Sequence, residues 1–328
     1  MENKIEKNEI IITLDIPEKD FNKKDNCYFL DNTNYIEFDN HQNKHIHNFL
    51  NELNSTNVNL YVNNKHYKYF NKYFNPGKPG IYKIKLEFKI KMTNCSHMFD
   101  DCRTITELDL SNFDTSEVND MSYMFFYCTK LKKLNLSNIN TKKVKNMYSM
   151  FYYCLNLTEL DLSSFDTSQV TNMSCMFTKC VNLNYLNLSK FNTQNVIDMT
   201  KMFSGCVNLR CFDLHSASFN TKSVKNMKKM FKNCKNLDLY NLKSFNIDSV
   251  EDISYMFYNC KSITFCKLCS NHSIDNKIKM DKIFNGCNNL VYVEFSSFNT
   301  KNSDIFNVFR YFRSYFGDCY NYINYIIK

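Results

Sequence analysis

Apolar and polar positions repeat along most of this chain with a long, fixed period. From Leu157 the run Leu157, Leu160, Leu162 follows an L-x-x-L-x-L spacing, and its last two leucines alternate as a short strand with one buried face does. Ser163, Ser164, Asp166 and Thr167 then supply turn chemistry around one apolar anchor, Phe165. Val170, Met173, Met176, Phe177 and Cys180 come next, at spacings that share one side of a helix, for which Asp166 or Thr167 is the expected N-cap. One unit therefore predicts a strand, a turn and a short helix.

The same unit recurs. Cys102, Cys128, Cys154, Cys180 and Cys206 are spaced 26 residues apart, and Cys234, Cys260 and Cys287 follow at steps of 28, 26 and 27. Each has a Phe three residues before it, from Phe99 to Phe284, and a ninth, degenerate copy ends at Phe316 and Cys319. A period between about 20 and 50 residues indicates repeats that stack, because one unit alone cannot bury its apolar faces. The expected fold is an α/β repeat solenoid: a leucine-rich-repeat-like stack of strand-turn-short-helix coils behind a small β-rich N-terminal domain.

The pattern C-x2-L-x2-L-x-L-S-x-F-D/N-T-x2-V-x-N-M-x2-M-F-x2-C resembles the BspA-like leucine-rich repeat family, a tandem-repeat surface-protein type. LTELDLSSFDTSQVTNMSCMFTKC, residues 157–180, carries the resemblance best, and it extends over about 92–319. It implies a repeat protein, in a family whose members are often surface proteins that adhere to host or matrix proteins. It does not name a ligand.

The ends lack the period. Within residues 1–75, Ile10 to Ile16, Cys27 to Leu30 and Val58 to Val62 read as strands, with a hairpin turn at Asn63-Asn64 before His66 to Phe70 and a helix around Lys44 to Leu53. Pro76-Gly77-Lys78-Pro79-Gly80 marks the boundary. The strand at 81–91 has Tyr82 and Ile84 one period before Leu108 and Leu110, and is expected to cover the first coil as part of the repeat region, 76–319. Ile305, Phe309, Phe312, Phe316, Cys319, Ile323 and Ile326 predict a C-terminal aromatic capping helix over 303–328.

Composition narrows the function. The 328 residues include only 5 Gly and 3 Pro, too few for a glycine-rich phosphate loop or a dinucleotide fold. G-x-S-x-G, H-E-x-x-H, Walker and kinase motifs are missing, and repetition works against the single asymmetric constellation that catalysis needs, so no enzyme is expected. No signal peptide or apolar span is read, which makes the cytoplasm the expected compartment, with the cell surface as the alternative. There the 15 cysteines remain mostly thiols. The periodic ones read as a core ladder, since residues in register about 4.8 Å apart do not converge as a disulfide requires.

No cofactor or metal is expected. Cys266-x2-Cys269-x2-His272 has a zinc-like spacing, but Cys266 falls in the register of a core leucine, and the histidines His41, His45 and His47 lack a defined further ligand. Cys175 and Cys211 fall in polar registers and are the candidate exposed thiols.

Two surfaces are candidates for binding. On the strand face the residue between the last two apolar positions runs Asp109, Asn135, Asp161, Asn187, Asp213, Asn241, where amides alternate with carboxylates and relieve their repulsion. On the helix side lie Lys142, Lys143 and Lys145, then Lys222, Lys225, Lys228, Lys229 and Lys232, accompanied by Tyr123, Tyr148, Tyr152, Tyr153, Tyr255 and Tyr258. The net charge of +8 permits contact with nucleic acid or anionic lipid without requiring it. The reading is a non-catalytic protein–protein interaction scaffold with an unidentified protein partner. A surface adhesin exported without a classical signal peptide, and an RNA- or anionic-lipid-binding scaffold using the lysines, are the alternatives.

Overall fold

The computed structural model describes residues 7–31, 37–38, 44–45, 50–213, 219–237, 246–274, 278–298 and 326–327; at 37–38, 44–45, 211–213, 267, 269–274, 292, 294–298 and 326–327 it describes the backbone alone. The N-terminal strands are β1 (Glu9–Ile16), β2 (Cys27–Tyr28), β3 (Glu37–Phe38), β4 (Lys44–His45), β5 (Val58–Val62), β6 (Lys65–Tyr67), β7 (Tyr73–Phe74) and β8 (Gly80–Phe88). The repeats add β9 (Ile105–Asp109), β10 (Lys133–Asn135), β11 (Tyr185–Asn187), β12 (Cys211–Asp213), β13 (Phe265–Ile274), β14 (Tyr292–Phe298) and β15 (Ile326–Ile327).

The repeats contain no α-helix among the described residues; the single helical element is the 3-10 turn Glu18–Asp20. This overturns the expected α/β architecture of strand-turn-short-helix coils. The protein is β-rich, with mixed sheets of short strands and long successions of turns. The reason lies in the backbone. Cys175 and Lys179 have φ of 58° and 64°, in the left-handed region that a helix of L-residues excludes. Thr178 N–H donates to Cys175 O and Cys180 N–H to Phe177 O, as in single turns. Between them, the N–H groups of Met173, Cys175, Phe177 and Lys179 donate to Asp198, Thr200, Met202 and Ser204 of the next unit, at 2.8–3.0 Å. Alternate donors thus leave the unit, where a helix would keep them within it.

The same two left-handed positions recur. One series is His97, Tyr123, Ser149, Cys175, Lys201, Lys229, Tyr255 and Lys282; the other is Asp101, Tyr127, Tyr153, Lys179, Gly205, Asn233, Asn259 and Gly286. Successive units are also joined by parallel bridges through Asn94, Asp120, Asn146, Asn172, Asp198, Asn226, Asp252 and Lys279. Tandem repetition in the sequence therefore becomes tandem stacking in space.

The core follows the sequence period. Phe99, Phe125, Phe151, Phe177, Phe203, Phe231, Phe257 and Phe284 stack ring on ring at 5.2–5.6 Å, within 9° of parallel. Each buried aromatic contributes on the order of 1.5–3 kcal/mol through burial, and stacking adds about 0.5–1.5. Cysteines from Cys102 to Cys287 line the same core as free thiols. From Cys128 onward each Sγ donates to the Phe carbonyl of the preceding unit at 2.9–3.1 Å, so the thiol has a polar role that a methyl group lacks.

Thr167, one of the two expected caps, is fully buried and clamps the next unit: its hydroxyl donates to Asn192 O at 2.9 Å and accepts Asn192 N–H at 2.8 Å. Thr115, Thr141, Thr193 and Thr221 do the same with Asn140, Asp166, Asn220 and Asn246.

At the N-terminal end, one sheet runs in the order β10-β9-β1-β8-β5-β6. The strand at 81–91 is β8, but β1 lies between it and the first repeat strand, antiparallel to both. β1 is therefore the strand that closes the edge of β9. The turn at Asn63-Asn64 has both residues left-handed and joins β5 to β6 as expected. One buried cluster runs from Ile10 to Val293, without a break at the Pro-Gly segment. In place of the helix around Lys44 to Leu53, β4 pairs with β3 and residues 50–52 form a turn; 46–49 lie outside the described residues. The capping helix over 303–328 also lies outside them, except that β15 is a strand paired with β14.

Candidate functional site

Four of the six strand-face positions meet on one open groove. Asp109, Asn135, Asp161 and Asn187 line a concavity of ≈ 730 Å³ with Glu107, Lys132, Lys133, Glu159 and Tyr185, and Ile11, Thr13 and Lys83 bound it on the N-terminal side. Asp213 ends β12 in register with Asn187, with its side chain outside the description, and Asn241 lies outside the described residues.

A local turn explains the residue type at these positions. The Oδ1 atoms of Asp109, Asn135, Asp161 and Asn187 accept the N–H of Ser111, Ser137, Ser163 and Ser189, two residues on, at 2.9–3.2 Å. Asp and Asn present the same acceptor, so either closes the turn equally well. Their alternation then leaves a carboxylate oxygen on one unit and an amide on the next. The Ser163 N–H and hydroxyl hold the Asp161 carboxyl below the usual carboxylate range.

The column beside it was missed in the sequence. Glu107, Lys133, Glu159 and Tyr185 hold the outward position two residues earlier; Lys133 pairs with Glu107 at 2.7 Å, and Tyr185 is 51% exposed. Strand alternation was the signal for it, since i and i−2 share a face.

The lysines divide into separate groups. Lys142, Lys143 and Lys222 are exposed in the turn that follows the buried threonine, and Lys143 pairs with Glu117 at 2.6 Å. Lys145 and Lys225 are exposed one residue before the bridge positions Asn146 and Asn226. Lys228, Lys229 and Lys232 come together half-buried beyond those bridges. Lys228 pairs with Asp252 at 3.3 Å, Lys229 and Lys232 lie 5.6 and 5.8 Å from the Tyr255 ring centroid, and Lys232 lies 5.1 Å from that of Tyr258. Lys201 and Lys282, which the sequence reading left out, join them: Lys282 is 5.9 Å from the Tyr255 ring, and Lys201 acts on Lys229.

The N-terminal end of this turn face is aromatic and acidic. Phe126 stacks on Tyr152 at 4.8 Å and Tyr127 on Tyr153 at 4.6 Å, while Tyr123 contacts both His97 and Tyr148. All of these tyrosines are half-buried, and burial pushes Tyr152 up to about 12. Beneath them His97 Nδ1 lies 2.7 Å from Asp100 Oδ2, with both residues buried. Burial, with Asp31 and Asp101 nearby, pushes Asp100 up to about 8.

Cys175, a candidate exposed thiol, is buried, and burial raises its thiol. The side chain of Cys211 is outside the description. No group of three or more metal-ligating residues occurs among the described residues; Cys266 is buried, and His41, His47 and the side chains of His45, Cys269 and His272 lie outside the description. No helix among the described residues is long and apolar enough to cross a membrane.

No curated protein and no solved structure matches the chain. A family profile described as "Mycoplasma protein of unknown function, DUF285" matches residues 93–212, 182–298 and 241–322. These overlapping matches span most of the chain and fall on the stacked units, and the chain belongs to that family.

Proposed function

We propose that this chain is a non-catalytic scaffold whose strand-face groove receives an extended segment of a partner protein. The observation that carries the reading is the convergence of Asp109, Asn135, Asp161, Asn187 and the exposed Tyr185 on one concave surface. Each Asp or Asn commits one oxygen to its turn, which leaves the second polar atom for a ligand. An exposed tyrosine among alternating acceptors and donors is the kind of surface that protein interfaces use. The resemblance of the repeat pattern to BspA-like units supports an adhesive role. The free thiols suit work in the cytoplasm, where they stay reduced.

The turn hydrogen bonds decide how this is tested. Alanine at Asp109 or Asp161 would break the turn together with any binding contact, whereas Asp109→Asn with Asp161→Asn keeps each Oδ1 acceptor and removes only charge. Peptides selected from a displayed random library on the purified chain should bind the double Asn variant, and Tyr185→Ser, at least fivefold more weakly, with melting unchanged. Peptides that bind both variants as well as the parent would place recognition elsewhere.

A further inference from the structure

We propose that the turn face of the later repeats binds the phosphodiester backbone of a single-stranded nucleic acid, at a surface separate from the strand-face groove. Lys201, Lys228, Lys229, Lys232 and Lys282 come from three units; Lys229, Lys232 and Lys282 lie over the half-buried rings of Tyr255 and Tyr258, which a fourth unit supplies, and Lys201 and Lys228 lie near Lys229. Asp198, Asp252 and Asp281 belong to the same units and offset part of this charge. Asp198 and Asp252 each have one oxygen engaged by a backbone N–H, from Thr200 and Ser254, and Asp252 also pairs with Lys228.

The cations are held close together by the backbone. Lys201, Lys229 and Lys282 occupy the same left-handed turn position, with φ of 54°, 58° and 50°. Lys201 N–H donates to Lys228 O, and Lys229 N–H to Ser254 O, both at 2.9 Å, so the stack fixes where each side chain starts. Desolvation, then Lys201, Lys232 and Lys228, lower the Lys229 ammonium below the ordinary lysine range. Like charges held this close are relieved by a ligand that brings several anions in a row.

The arrangement of the cations selects the ligand. They follow the stacking direction in a narrow strip, in which successive units rise by about 4.8 Å and the Tyr255 unit stands between those of Lys229 and Lys282. A flexible polymer with one anion per monomer can lay consecutive phosphates along such a strip, and lysine serves phosphate as a point charge. A bilayer asks for a plane of charge with apolar side chains entering it. Here ammoniums occupy the Tyr255 and Tyr258 rings.

The test is fluorescence anisotropy of a labelled oligothymidylate with the full chain across a salt series. Four phosphate contacts predict a slope of log K against log salt near −3, taking about −0.7 per contact. Lys201→Gln, Lys229→Gln and Lys232→Gln together should weaken binding at least tenfold and flatten the slope by about 2. Lys142→Gln with Lys143→Gln, in the separate turn, should leave both unchanged. No saturable binding at low salt, equal loss in the two variants, or tighter binding to duplex of the same sequence or to phosphatidylserine vesicles would each overturn the proposal. These lysines lie outside the groove, so either surface can fail its test while the other passes.

Discussion

At the residue scale, the side chains that define the repeat mainly serve the neighbouring unit. Thr193 shows this best: its buried hydroxyl donates to Asn220 O and accepts Asn220 N–H, both at 2.7 Å. Thr193→Val keeps the shape and removes both bonds, and should cost about 1–3 kcal/mol in urea unfolding, while Thr193→Ser should cost under about 1. Equal losses for Val and Ser would show that packing of the methyl group, rather than the clamp, explains the threonine. The sequence revealed which residues repeat, but the role of Thr167 as an inter-unit clamp was hidden. A threonine that starts a helix and one that reaches the next unit look alike until the neighbour's backbone is in place. Asp161 was legible in part: it is exposed between buried Leu160 and Leu162 as the alternation predicts, but residues 157–162 form no strand, and the N–H of Ser163 explains why Asn substitutes for it in alternate units.

At the scale of the element, the apolar spacing of Met173, Met176, Phe177 and Cys180 suits a helix and also suits two consecutive turns. Periodicity reports where side chains point and says nothing of where the N–H groups go. A signal was nonetheless present: Gly205, Asn233, Asn259 and Gly286 each stand immediately before a ladder cysteine, and these residue types tolerate positive φ. Gly205→Ala separates the two readings by sign. In a helix it would stabilise by about 0.5–1 kcal/mol. In the turn, φ is +77° and a new Cβ would lie 2.7 Å from Lys179 Cδ. That side chain can yield, but the backbone strain remains, so a loss of about 1–2 kcal/mol is expected in thermal unfolding. A rise in melting temperature would restore the helix.

At the scale of the whole molecule, the units share one core, and its thiols tie stability to pH. Burial raises Cys102, Cys128, Cys154, Cys180, Cys234 and Cys260 well above the ordinary value of 9.0, and Cys206 and Cys287 to about 12. A thiol whose folded value is raised keeps its proton while its unfolded counterpart loses it. Stability is therefore fully present below about pH 9 and is lost as pH climbs toward the folded values, by up to about 1.4 kcal/mol per pH unit for each thiol. Urea unfolding between pH 8 and 11 should show a slope equivalent to several protons released on unfolding. A slope of one proton or fewer would mean that the ladder is open to solvent. The existence of stacked units was readable from the cysteine spacing alone, whereas the insertion of β1 between β8 and β9 was not, because residues 9–16 carry no trace of the period. The most direct test of the account is native iodoacetamide labelling read by peptide mass spectrometry. The eight ladder cysteines should stay unmodified until denaturant is added and then react together; modification of Cys154, Cys180 and Cys206 in the native protein would contradict a sealed stack.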